Sequence, residues 1–212
     1  PRSTLCPYTT LFRSVCEAFD IPNHPSDPSA GSREVMFGRE IYIDEADFLE
    51  DPPRRFFRLS PGREVRLRYA YYVTCVGVDR DSSGDISTIH CTYDPDSRCG
   101  GTPDKRKVKG TLHWVSAAHA LPAQVRLYEP LFVSSNPWEE PNIELTVQLN
   151  ATSRTIIQNA QLESSLEHAP IAMCVQLERV GYFCVDPDTQ KDQLVLNHIV
   201  ALRDSWPRDK PS

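Results

Sequence analysis

No apolar run in this 212-residue sequence approaches the ~18 residues that a membrane-spanning helix needs, so no spanning helix is predicted. Glycine is scarce: nine residues against eighteen prolines, a balance that disfavours long helices and suits short strands joined by turns. No GxGxxG, GxxxxGK[ST], HExxH or GxSxG occurs, which removes the commonest nucleotide-binding and hydrolytic signatures. There is no CxxC pair, no internal repeat and no low-complexity tract, and the opening residues do not read as a secretory leader. The seven cysteines are odd in number and irregularly spaced, which argues against a disulfide framework and for a reducing, cytoplasmic setting.

A zinc site is the sharper alternative for the cysteines, using Cys91, Cys99, His113 and His119. Seven residues separate the two cysteines, which is not the spacing of a structural zinc site. His113 inside a strand and His119 on a short helix read as structural histidines. Asp186 and Asp188 flank Pro187 and read as turn residues.

The formal charge of −6 argues at face value against nucleic acid as a partner. Its distribution says otherwise. Residues 51–70 carry six arginines against two acids, a local +4, and residues 103–110 carry +3. Residues 129–167 carry six glutamates against Arg154 alone, a local −5. The basic stretch is interleaved with Phe56, Phe57, Tyr69 and Tyr72, the pattern of a nucleic-acid footprint. A solvated strand face bearing ordinary surface arginines is the competing reading.

Periodicity predicts an all-β protein with one or two short helices. A strand is expected over 39–44, followed by a helical turn capped by Asp44. Residues 64–78 read as one long strand with Arg66 and Arg68 on the same face. Asp81 to Asp85 reads as a hairpin turn, with the return strand over 86–93. Further strands are expected over 107–115, 124–132, 155–162, 172–185 and 194–202. Ser116 is expected to cap a short helix that Pro122 ends, and residues 20–33 read as a linker.

The first fourteen residues, PRSTLCPYTTLFRS, resemble the translated readout of a sequencing adapter. On that reading they are set aside as non-native, native sequence begins near Val15, and the chain is the C-terminal piece of something longer.

Several stretches taken together carry a family resemblance: PNHPSDPSAGSREV (22–35), IYIDEADF (41–48), FFRLSPGREVRLRYAY (56–71), CTYDPDSR (91–98), DKRKVKGTLHWVSAAHALPAQVRLYEPLF (104–132), QLERVGYFCVDPD (176–188) and LNHIVALRDSW (196–206). They resemble the C-terminal anticodon-binding region of glutaminyl-tRNA synthetases. The resemblance implies two antiparallel β-barrels of the type shared with a ribosomal 5S-rRNA-binding protein. A linker would span 15–22. The proximal barrel would hold 23–115 plus 181–206, and the distal barrel 116–180. It implies a tRNA(Gln) anticodon loop as partner, a monomer with no membrane contact, and no cofactor or metal in this region. ATP and magnesium would belong to an upstream catalytic domain of the same chain, so this piece alone should be inactive. A glutamyl-tRNA synthetase anticodon domain and a free-standing 5S-rRNA-binding barrel are the alternatives.

The same resemblance assigns roles. Arg58 would read the third anticodon base, a guanine, for which its bidentate fork is suited. Arg66 would read the first base, with Arg68 alongside. Gln176 and Arg179 would read the middle uridine, and Pro25 would lie near the anticodon stem. Phe57 stands where a bacterial member has a lysine, and there it would stack on a base. Tyr69 stands where that member has an asparagine. Strict alternation would place Gln176 and Arg179 on opposite faces of one strand, so convergence on one base requires a bulge or bend.

Overall fold

The computed structural model describes residues 8–11, 16–138 and 144–202. It is mostly β, as the periodicity predicts. The strands are Tyr8–Leu11 (β1), Glu17–Pro22 (β2), Ser32–Phe37 (β3), Glu40–Ile43 (β4), Glu64–Leu67 (β5), Tyr72–Arg80 (β6), Ile86–Asp94 (β7), Thr111–Leu112 (β8), Val115–Ser116 (β9), Leu121–Tyr128 (β10), Arg154–Leu162 (β11), Cys174–Leu177 (β12), Gly181–Val185 (β13) and Leu194–Ala201 (β14). Two compact units divide the chain: residues 1–121 with 161–168, and residues 122–160 with 169–212.

The first unit holds a seven-stranded sheet in the order β8-β5-β6-β7-β1-β4-β9, together with the β2–β3 hairpin. The segment read as a linker is therefore structured. Phe19 and Ile21 of β2 and Val35 and Phe37 of β3 are all buried, each two residues apart on its strand. Asp20 and Pro22 hide that alternation in the sequence. β1 lies within the fourteen residues set aside as non-native, and its backbone pairs with β4 and β7.

The expected strand over 64–78 is a hairpin. Val65 pairs with Val73 and Arg66 with Tyr72, and the chain reverses at 68–71. Leu67 N–H donates to the Tyr71 carbonyl at 2.8 Å and Ala70 N–H to the Leu67 carbonyl at 3.0 Å. Tyr69 adopts φ 60°, a left-handed conformation that Gly or Asn enters more cheaply. Tertiary bonds hold the turn: Trp114 Nε1 donates to the Arg68 carbonyl and Arg68 N–H to the Leu112 carbonyl, both at 2.9 Å. Inside, Tyr71 packs at ring-centroid distances of 5.7 Å from Phe19 and 5.5 Å from Phe37, and Phe37 lies 5.2 Å from Trp114. Tyr71 and Glu17 share a 2.6 Å hydrogen bond, and burial with that carboxylate pushes the phenol up to about 12.

The edge strands β8 and β9 are separated in sequence only by His113 and Trp114. At most about 11 Å of chain therefore lies between the two edges of the sheet, so the sheet must curl. No ladder joins those edges, and both main sheets are open among the described residues. The strand expected over 107–115 is thus two fragments of two residues each. Ser116 stands at the N-cap of a single 3-10 turn, Ala117–His119, without a capping hydrogen bond; its hydroxyl lies 3.0 Å from His119 Nδ1 instead. Pro122 belongs to β10 rather than ending a helix.

The second unit holds a five-stranded sheet, β11-β10-β14-β13-β12. β10 and β14 run parallel, from Ala123 opposite Leu194 to Arg126 opposite Asn197. β13 and β14 complete the sheet that β10 belongs to. Their Phe183, Val185, Val195 and Leu196 are buried, as is Val125 of β10. The expected strand over 172–185 is also a hairpin, β12–β13, with Leu177 opposite Gly181.

Candidate nucleic-acid interface

β5 and its neighbours place the basic side chains of the first unit. Arg66 is half-buried on β5, opposite Thr111 of β8, and its Nη2 donates to Thr111 Oγ1 at 3.1 Å. The floor beneath it is Gly100, where an added Cβ would lie 3.0 Å from Arg66 Cδ. The Arg66 Nε–H is buried and has no acceptor among the described residues. Leaving such a donor unmet costs about 1–3 kcal/mol.

Phe57 lies beside this strand and is 50% exposed. Lys109 Nζ sits 5.3 Å over its ring, within cation–π range. The two segments are in close contact at Gly110, where a Cβ would fall 2.4 Å from the Phe57 carbonyl oxygen. Lys109, Gly110 and Thr111 were not among the sequence candidates. The local charge drew attention to their segment, but only the β5–β8 pairing puts them next to Arg66.

Arg58 is bound from below. Its Nη1 lies 2.8 Å from Oδ1 of the fully buried Asp47 and donates to the Ala46 carbonyl at 3.0 Å. Asp47 sits in the helical turn Glu45–Asp47, which the Asp44 carboxylate caps by accepting from Ala46 N–H at 2.8 Å. Arg68 does not share a strand face with Arg66, since it stands on the β5–β6 turn. Its guanidinium lies 5.0 Å from the centre of the Tyr69 ring.

Not all the basic residues are available. Arg106 pairs with Glu64 at 2.8 Å, with Asp94 and with Asp104 at 3.1 Å, and lies 5.3 Å over the Tyr72 ring. Hydrogen bonds to Glu64 and Asp94 hold its guanidinium above the ordinary arginine range. Arg106 therefore fixes the 104–106 loop, leaving Lys105, Lys107 and Lys109 as the exposed cations of that segment. Pro25 is exposed in the β2–β3 loop, which Asn23 closes through Nδ2 to the Ala30 carbonyl at 2.9 Å.

In the second unit Gln176 is exposed on β12, opposite Tyr182. Arg179 is exposed in the β12–β13 turn, where Val180 N–H donates to the Leu177 carbonyl at 3.0 Å. Its φ is 63°. Strand alternation ends at Leu177, which answers the objection that Gln176 and Arg179 must face opposite ways.

Cys91, Cys99, His113 and His119 are not gathered. No group of three or more His, Cys, Asp or Glu able to hold a metal ion exists among the described residues. Cys91 faces Cys75 across the β6–β7 ladder instead. No helix among the described residues is long and apolar enough to cross a membrane.

Residues 9–94 match the family described as tRNA synthetases class I (E and Q), anti-codon binding domain, and residues 111–186 match a second family of the same description. The chain belongs to these anticodon-binding domains. Its similarity to glutamine--tRNA ligases is extensive: 49% identity over 190 residues with that of Nitrobacter hamburgensis, covering 90% of this chain and 33% of the relative. The ligase of Proteus mirabilis is 47% identical over 190 residues, and that of Clostridium perfringens 47% over 191, each covering 90% of this chain and 34% of the relative. The chain thus spans about a third of the length of these relatives. The two family matches end and begin on either side of residues 95–110, the segment that carries Gly100, Arg106 and Lys109 of the anticodon-binding chain.

Proposed function

We propose that this chain reads the anticodon loop of tRNA(Gln) for a glutamine--tRNA ligase. The observation that carries the reading is the basic and aromatic face of the first unit, half-buried Arg66 on β5 with exposed Phe57 and Lys109 beside that strand. A guanidinium, an ammonium and an exposed ring together suit phosphates and splayed bases. On this reading Arg66 takes the first anticodon base, with Arg68 alongside, Arg58 takes the third, and Gln176 and Arg179 take the middle one. Phe57 offers a stacking face, and Lys109 above it restores a cation where a bacterial member has lysine. Pro25 lies near the anticodon stem.

The finer architecture is that of two barrels, a reading supported in the first unit by sheet edges that only His113 and Trp114 separate. ATP-dependent attachment of glutamine, with its ATP and magnesium, belongs on this reading to the part of the relatives that the chain does not span. The setting is the cytoplasm and the chain a monomer.

The test is direct binding of the chain to a tRNA(Gln) transcript and to transcripts altered at one anticodon base. The expected result is at least tenfold weaker binding for each altered base. Equal affinity for all transcripts, or tighter binding to 5S rRNA, overturns the proposal.

A further inference from the structure

Two cysteine pairs face each other across antiparallel ladders: Cys75 with Cys91, and Cys174 with Cys184. All four are free thiols. The first pair is buried at both ends, at 1% and 7% exposure, and no small molecule reaches it. The second differs: Cys174 is exposed on β12 and Cys184 half-buried on β13.

The register decides what the second pair can do. Val185 N–H donates to the Met173 carbonyl and Ala172 N–H to the Val185 carbonyl, each at 3.0 Å. The next opposed pair, Cys174 and Cys184, is therefore a non-hydrogen-bonded one, the kind whose side chains approach most closely. Such pairs have Cα atoms about 4.5 Å apart, inside the span of ~4.4–6.8 Å that a disulfide bridges. The Cys174 thiol lies 3.7 Å from the Ala172 carbonyl and the Cys184 thiol 3.9 Å from the Val185 carbonyl, weak sulfur contacts that leave both free to turn toward each other.

We propose that Cys174 and Cys184 are a reversible disulfide site, oxidised by exchange with a low-molecular-weight disulfide such as oxidised glutathione. The Cys174 thiolate attacks one sulfur of the small disulfide, forming a mixed disulfide and releasing one small thiolate. The Cys184 thiolate then attacks the Cys174 sulfur and expels the second. In sum two protein thiols and one small disulfide give one protein disulfide and two small thiols. Two electrons pass to the small molecule, and the two thiol protons end on its products. Cys174 attacks first because it is the exposed member. Cys184, half-buried directly opposite Cys174 and with its thiol pushed up by burial, is the resolving group. The bond would close β12 to β13 one opposed pair beyond Gln176 and Tyr182, on their face of the hairpin. Its bearing on anticodon reading rests on the proposed function; its formation does not.

The test needs no RNA. The full chain is incubated at mildly alkaline pH with oxidised glutathione, the remaining thiols are trapped with N-ethylmaleimide, and the protein is mapped by peptide mass. The expected result is a linked pair of peptides carrying Cys174 and Cys184, reversed by dithiothreitol. Cys184→Ser should stop at one glutathione on Cys174, and Cys174→Ser should leave Cys184 alkylated by the trap. Absence of the linked peptide, its appearance only in denaturant, or preferential linkage of Cys75 to Cys91 overturns the proposal.

Discussion

The guanidinium of Arg58 sits 2.8 Å from the fully buried carboxylate of Asp47. The residue proposed to read the third base is thus also the countercharge of a buried acid. Arg58→Ala removes both roles and, by breaking the ion pair with buried Asp47, should cost about 3 kcal/mol of stability. Arg58→Lys keeps the charge but loses the fork. It should cost less than about 1 kcal/mol in urea denaturation, while the third-position guanine preference in transcript binding falls by about 1–3 kcal/mol. A lysine variant that discriminates as strongly as the parent would refute the assignment.

Arg179 separates function from stability in the other direction. At φ 63° a non-glycine residue is strained by about 1 kcal/mol. Arg179→Gly should leave the denaturation midpoint unchanged or higher, yet weaken tRNA(Gln) binding by about 1–3 kcal/mol. Loss of stability without loss of binding would show Arg179 to be a structural residue.

These two arginines mark what the sequence made legible. Asp81 to Asp85 was readable because Gly84 and the Asp81 carboxylate form the turn they are suited to: Asp81 accepts from Ser83 and Asp85 N–H at 2.8 and 3.0 Å. The Asp44 cap was readable for the same local reason. The turns at Tyr69 and Arg179 were not, since neither holds the glycine or asparagine that positive φ favours. Distant groups such as Trp114 Nε1 hold the first in place. Likewise Arg58 and Arg66 stood out within a basic stretch. Asp47 beneath one and Gly100 beneath the other come from separate segments, and only the folded chain brings them there.

Gly110 tests how tightly the Phe57 segment must lie on β5. Gly110→Ala brings a methyl to 2.4 Å from the Phe57 carbonyl oxygen and 3.0 Å from Val65 Cγ1, so backbone must move. The expected cost is about 1–3 kcal/mol in chemical denaturation, with weaker tRNA(Gln) binding. At Gly77 nothing lies within 4 Å of an added Cβ, and alanine there should cost less than about 1 kcal/mol. Equal costs at both positions would contradict the close contact.

Glu163 predicts a pH dependence. Burial raises its pKa, but the bidentate pairing with Arg33 and the Ser165 hydroxyl outweigh burial, and the net shift is downward. A depressed folded-state pKa means stabilisation present above the unfolded value, about 4.3, and lost as pH falls through the folded value. Glu163→Gln should therefore cost about 1.5–3 kcal/mol at pH 7. The gap between variant and parent should narrow as pH falls below about 4. Urea midpoints across that range measure it, and a gap independent of pH would exclude the pairing.

Arg33 and Glu163 are 130 residues apart in the chain, and both belong to the first unit. A ribosome therefore finishes residues 122–160 of the second unit before the first can receive its closing ion pair. The β2–β3 hairpin emerges early, but the partner of its Arg33 arrives late, so the first unit cannot be completed before synthesis of the second is well under way.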